Sequence, residues 1–312
     1  VTTPTNAAVL FPGQGSQEKG MGRDLAEART DAMDLWKLAE KTSGLKLREI
    51  YWDGDDASMA DTRNLQPAMT VTTLNLWLAV KDKLAPMGFA GHSLGEYAAL
   101  AASGALPIQQ VLGLVSLRGK LMAEAGGVGG AMAAILKVSL ENVEQIVAKA
   151  AEATKGVLLV ANYNTPGQYV ISGRKDAVDQ AAGLCKEVKG RAIPLAVSGA
   201  FHSPMMAEAA AELEKILAKA DWRAPSAPVF ANVTGQGESD PEKLKGLLAR
   251  QMTSSVRWID TMAAMYAAGA RNFVEIGPKG VLTKMVKPNL EGKDDATAVN
   301  VGSMQAAAEF VL

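Results

Sequence analysis

The segment Met87 to Gly104 constrains the fold more than any other: a short apolar run, Gly91-His92-Ser93-Leu94-Gly95, and then the amphipathic stretch Glu96 to Gly104. This predicts a strand, a sharp turn and a helix, the setting in which a G-x-S-x-G pattern pushes a serine hydroxyl clear of the backbone. A strand feeding directly into a helix belongs to an α/β fold with a mainly parallel, covered sheet. The helix start would supply free N–H groups and a positive dipole end, both suited to an anionic tetrahedral intermediate, and the N–H of Leu94 is one candidate donor. A plainer reading makes Ser93 only the helix N-cap.

The rest of the chain extends this unit. Ala7 to Pro12 is an apolar run stopped by Pro12, Gly13 and Gly15, as expected for a buried strand that opens into a loop. Helices are predicted over Thr30–Thr42, Gln66–Leu84 and Pro107–Ala125. From Ala131 the texture changes to strand, helix, strand, strand, helix, strand, which is the ferredoxin-like order. This stretch, 131–200, is bracketed by the glycines at 126–130 and by Ser198 and Gly199, and reads as an insertion. The expected organisation is therefore a discontinuous large α/β subdomain, 7–130 and 201–312, with a smaller inserted one. Later strands are expected at Pro228–Asn232, Arg271–Ile276 and Thr297–Val301.

Composition excludes several classes. With 32 basic and 33 acidic side chains over 312 residues the net charge is −1, which argues against nucleic acid or a generally basic membrane face as partner. The single cysteine, Cys185, rules out an internal disulfide and a Cys-rich zinc site, and its helix-like surroundings suit a small core residue. No apolar run reaches membrane-spanning length and no basic-plus-apolar leader precedes the first strand. A soluble, unexported, cytoplasmic protein is expected.

A serine nucleophile needs a base, and the chain holds two histidines. His92 adjoins Ser93 on an extended segment, so its side chain points to the opposite face. His202, in Ala200-Phe201-His202-Ser203-Pro204, stands where the insertion returns to the main sheet and is the candidate base. No carboxylate between the two has a distinctive context, so a dyad with a main-chain carbonyl orienting the imidazole is expected. On the helix after Pro107, Arg118 falls on the apolar stripe between Val115 and Met122. A buried cation needs an anion, either an internal carboxylate or one carried by a ligand, and the guanidinium fork suits the latter.

FPGQGSQ near the start, GHSLGE at 91–96, Arg118 in SLRGKLM, NTPGQYVISG at 164–173, GAFHSPMM at 199–206 and VEIGPKGVL at 274–282 together resemble the malonyl-coenzyme A:acyl carrier protein transacylase family, over nearly the whole chain. The resemblance implies a hydrolase-like large subdomain with the ferredoxin-like insertion. It also implies transfer of a malonyl group from malonyl-CoA, through a serine ester, to the thiol of acyl carrier protein, with no cofactor and no metal. Carried over, Ser93 is the nucleophile, His202 the base and Arg118 the clamp on the malonyl carboxylate. The backbone N–H groups of Gln14 and Leu94 form the oxyanion hole, the carbonyl of Gln251 orients the imidazole, and Phe201 resembles the malonyl-selective pattern. Rival readings are a discrete acyltransferase serving a polyketide synthase, and a serine esterase. A basic surface for an acidic carrier is expected among Arg174, Lys175, Lys186, Lys189, Arg191, Lys279, Lys284 and Lys287.

Overall fold

The computed structural model describes residues 6–126, 129–197 and 199–312, so parts of both breakers expected around the insertion, Gly127, Val128 and Ser198, lie outside it. The described strands are β1 (Ala7–Phe11), β2 (Pro86–Gly91), β3 (Gly130–Leu136), β4 (Leu158–Thr165), β5 (Gln168–Arg174), β6 (Arg191–Pro194), β7 (Val229–Phe230), β8 (Gly237–Glu238), β9 (Asn272–Ile276) and β10 (Thr297–Val301).

Six of them form one sheet in the order β10-β9-β1-β2-β7-β8, parallel throughout except for the β7–β8 pair at the edge. β1 lies in the middle with all five residues fully buried, as a strand covered on both faces must be. The helices Thr62–Val80, Gly95–Ala102 and Ile108–Gly126 pack against this sheet and one another. The first begins a turn earlier than its apolar pattern, because the Asp61 carboxylate accepts the Arg63 N–H and caps it there.

The other four strands form a separate antiparallel sheet, β4-β5-β3-β6, with the helices Leu140–Thr154 and Lys175–Glu187. Alternation along β3 explains how this sheet serves two cores. Ala133 and Ile135 join Val143, Ile146, Ala177 and Cys185 in its own core, while Met132 and Ala134 face the core of the large sheet. The last strand is shorter than expected. Beyond Pro194 one hydrogen bond to the sheet remains among the described residues, from the Leu195 N–H to the Met132 carbonyl, and the chain then leaves to line the cleft between the sheets. Among the described residues no helix is long and apolar enough to cross a membrane, and no cluster of His, Cys, Asp or Glu could hold a metal ion.

Candidate active site

β2 ends at Gly91 and the following helix begins at Gly95, so the chain reverses over Ser93, whose φ of 51° lies in the left-handed region. Two glycines make the turn possible. A Cβ on Gly91 would overlap the Gly95 carbonyl, and one on Gly95 would overlap the carbonyl of Phe11 on the neighbouring strand. The Ser93 hydroxyl makes no capping bond to the helix. It points instead to His202, with Oγ 2.7 Å from Nε2. The plain N-cap reading of Ser93 is thereby set aside.

His202 is 3% exposed and also left-handed, with φ 57°. Its Nδ1 lies 3.0 Å from the carbonyl of Gln251 and 3.1 Å from that of Ser254. Carbonyls only accept, so Nδ1 carries the proton and Nε2 is left to accept from the serine. Burial foremost, and then the charge of Arg118, push the imidazole down to about 3. The other histidine is turned away: Nε2 of His92 is 2.8 Å from Asn164 Oδ1 and its ring leans on Trp258.

Arg118 is 1% exposed and makes no salt bridge among the described residues, so the internal ion pair open to it from sequence is not formed. Its Nη1 donates to Gln66 Oε1 at 2.9 Å, and Nη2 donates to Gln251 Oε1 and to Ser93 Oγ, both at 3.1 Å. The guanidinium lies 5.4 Å from the Tyr97 ring, and its Nε has no acceptor among the described residues. A buried cation held by neutral groups leaves room for an anionic partner.

These groups open on a cavity of about 100 Å³ lined by Gln14, Ser93, Leu94, Arg118, Phe201 and His202, with Met132 and Leu195 from the smaller sheet's side. Neither the Leu94 nor the Gln14 N–H donates to an acceptor among the described residues, so both are available to a developing oxyanion. A second space of about 220 Å³, sharing Gln14, His92, Asn162 and Leu195, leads from the site past Leu282 and Met285. A larger cavity, about 640 Å³ beside Pro166 and Lys287, holds none of these reactive groups.

Sequence reasoning missed the polar residues behind the dyad. Gln66 holds Arg118, and Asn232 accepts the Ser93 N–H at 2.7 Å through Oδ1. Glu96, 1% exposed, accepts from Gln251 Nε2 at 2.7 Å. The available signal was a lone carboxylate on the otherwise apolar helix GEYAALAA. In the expected basic surface, Arg174 and Lys175 are already paired with Asp176 and Asp179, both at 2.6 Å. Lys186, Lys189, Arg191, Lys279, Lys284 and Lys287 form no ion pair among the described residues.

The acyl transferase domain family matches residues 9–310. The chain is 41% identical over 283 residues to the malonyl CoA-acyl carrier protein transacylase of Bacillus subtilis (strain 168), covering 90% of this chain and 89% of that one. With the protein of the same name from Haemophilus influenzae it shares 39% over 98% of this chain and 99% of the other. Among solved structures, an acyl carrier protein S-malonyltransferase from Vibrio cholerae O1 superposes with TM-score 0.90 at 38% identity, covering 97% and 99% of the two chains. A malonyl-transacylase in complex with its type II PKS acyl-carrier protein superposes with TM-score 0.90 at 35%, covering 97% of each.

Proposed function

The chain belongs to the acyl transferase domain family, and from that premise we infer that it transfers a malonyl group from malonyl-CoA to the thiol of an acyl carrier protein, supplying fatty-acid synthesis, through an ester on Ser93. The observation that carries the mechanism is the buried arrangement of a hydroxyl 2.7 Å from an imidazole and 3.1 Å from an arginine that lacks an ion pair.

Ser93 Oγ attacks the thioester carbonyl while His202 Nε2 takes its proton. The N–H groups of Gln14 and Leu94 hold the oxyanion. Collapse breaks the C–S bond, and the departing coenzyme A sulfur takes the proton from His202. The carrier thiol then gives its proton to His202 and attacks the ester, and the proton returns to Ser93 as the product leaves. Arg118 pairs with the distal carboxylate of the malonyl group. That pairing also offsets a charge that depresses the imidazole, so the base strengthens when the correct acyl group is bound. Phe201, on the cavity wall, limits substitution at the malonyl α-carbon. Coenzyme A is leaving group and no cofactor enters; the reaction belongs in the cytoplasm, where its donor and carrier occur.

Two observations weigh on the alternatives. A buried arginine beside the nucleophile is of no use to an esterase acting on neutral esters. A carrier of polyketide synthesis is the second reading, favoured by the likeness to a transacylase bound to such a carrier. Intact-mass measurement after mixing the protein with malonyl-CoA, and then with each type of carrier, tests both. A malonyl adduct that discharges onto the fatty-acid carrier is expected; no adduct would overturn the function, and discharge onto a polyketide carrier alone would favour the second reading.

A further inference from the structure

We propose that Glu96 is a positioning residue for the transfer reaction, its ionised carboxylate anchoring the Gln251 amide and, through it, the placement of Arg118 and of the carbonyl that holds His202. The inference rests on the acyl-transfer reading of Ser93 and His202.

Glu96 stands in the first turn of the helix that follows the nucleophile and makes no salt bridge among the described residues. Its Oε2 accepts from the Gln251 side chain at 2.7 Å and from the Asn232 N–H at 3.2 Å. Each of these partners touches the reacting groups. Gln251 accepts from Arg118 through Oε1 at 3.1 Å, donates through Nε2 to the Ser93 carbonyl at 2.9 Å, and accepts from His202 Nδ1 through its backbone oxygen at 3.0 Å. Asn232 accepts the Ser93 N–H and donates to the Gly91 carbonyl, both at 2.7 Å. One carboxylate thus secures the two residues that hold nucleophile, base and clamp.

The chemistry of the relay favours an anion at 96. An amide can lie either way round, but a guanidinium only donates and an ionised carboxylate only accepts. Gln251 between Arg118 and Glu96 has one orientation that satisfies both, oxygen to Arg118 and NH₂ to Glu96, with a charge strengthening the bond at each end. Arg118 and the Ser93 carbonyl favour the same sense of the amide, and an ionised Glu96 adds a charged anchor on Nε2 that a protonated or amide side chain at 96, offering a donor as well as an acceptor, does not guarantee. Fold stability alone gives little reason for a charge here, since burying a carboxylate without a direct ion pair is costly.

Burial pushes the Glu96 carboxyl up to about 7, against the hydrogen bonds from Gln251 and Asn232 and the charge of Arg118. Arg118 and Tyr97 are the charged and titratable groups that face it among the described residues, and His202 lies beyond Gln251. With the imidazole down at about 3, Glu96 is the group that gains a proton as neutral solution is acidified.

The test compares full-length wild type with Glu96→Gln in single-turnover acylation by malonyl-CoA, read as Ser93 adduct by intact mass between about pH 5 and about pH 9, together with thermal melting over the same range. Wild-type acylation should fall as pH drops through about 7. Glu96→Gln should acylate at least about tenfold more slowly on the wild-type plateau, lack that acid limb, and melt no lower than wild type above neutrality. A variant as fast as wild type, or slow with the limb retained, overturns the proposal. Should the variant melt far lower, the wild-type limb decides: a carboxyl limb scarcely moves with temperature, and one that shifts as an imidazole does overturns it. A wild type that forms no adduct at any pH sinks the acyl-transfer reading itself, and the proposal with it.

Discussion

Arg118 donates through Nη2 to the Ser93 hydroxyl oxygen at 3.1 Å, the same oxygen that faces His202 Nε2 at 2.7 Å. The hydroxyl therefore accepts from a cation while donating to a neutral base. A substrate carboxylate that captured the guanidinium would compete with this contact, so the proposed clamp and nucleophile are in direct contact before any acyl group arrives.

Arg118→Ala should remove that contact and the carboxylate's partner together. Truncating one member of a buried charge pair costs about 2–5 kcal/mol, or roughly 30-fold and upward in kcat/KM for malonyl-CoA. Acetyl-CoA should be much less affected. The wild type engages both Nη atoms of Arg118 with Gln66, Gln251 and Ser93, so acetyl does not leave the cation without partners. Discrimination against acetyl then comes from the missing ion pair rather than from an orphaned charge. Specificity constants for both donors check this, and a loss below about tenfold, or an equal loss for both, would return Arg118 to a structural role.

Ser93→Ala and His202→Ala should each lower transfer by roughly a thousandfold or more while the protein stays folded. Ser93→Gly should be equally inactive yet more stable than Ser93→Ala by about 1 kcal/mol, since glycine meets no Cβ penalty at φ 51°. Urea unfolding of the two inactive variants measures the difference; equal midpoints would mean that the elbow stores no backbone strain.

The neutral imidazole of His202 makes stability depend on pH. Its folded pKa is depressed from 6.5 to about 3, so its contribution is present in full above 6.5 and is lost as pH falls from there toward 3, where the unfolded chain binds the proton first. The loss from this one group is at most about 1.4 kcal/mol per pH unit. His202→Gln should flatten the decline in unfolding free energy across that window. A variant with the wild-type slope would show that other groups govern it.

An acidic carrier should be steered by the cations that form no ion pair among the described residues, Lys186, Lys189 and Arg191 on the smaller subdomain and Lys279, Lys284 and Lys287 on the larger. Added salt should slow transfer to the carrier protein more than transfer to free pantetheine. Charge reversal at Lys189 or Lys287 should weaken that salt dependence, whereas Arg174 and Lys175, engaged by Asp176 and Asp179, should contribute less. Equal salt dependence for both acceptors would exclude steering.

The frame of the fold was legible because period and punctuation agreed. The helix expected over Thr30–Thr42 ends one residue later, β10 covers the expected span, and the four-stranded unit has the expected order. Short helices such as Arg23–Ala28, Asp56–Ala60 and Met304–Glu309 were not, since so few residues show no period. At the site, Ser93 stood out through its glycines, His202 through scarcity and Arg118 through a charge on an apolar stripe. Glu96, Asn232 and Gln66 did not. A buried polar side chain does not name a partner far away in the chain, and the Glu96–Asn232 contact spans 136 positions.

The smaller sheet lies between the nucleophile and the base in the chain, so Ser93 and His202 meet across 109 residues. The consequence is one of timing. Closing so long a segment comes late relative to local structure, and here the segment must also build a sheet of its own before His202 can be delivered. The elbow can form early, from β1, β2 and the helix beside them, without a base anywhere near it. Recovered acyltransfer activity should thus trail the return of helical signal during refolding, and marks the moment when the two parts of the molecule dock.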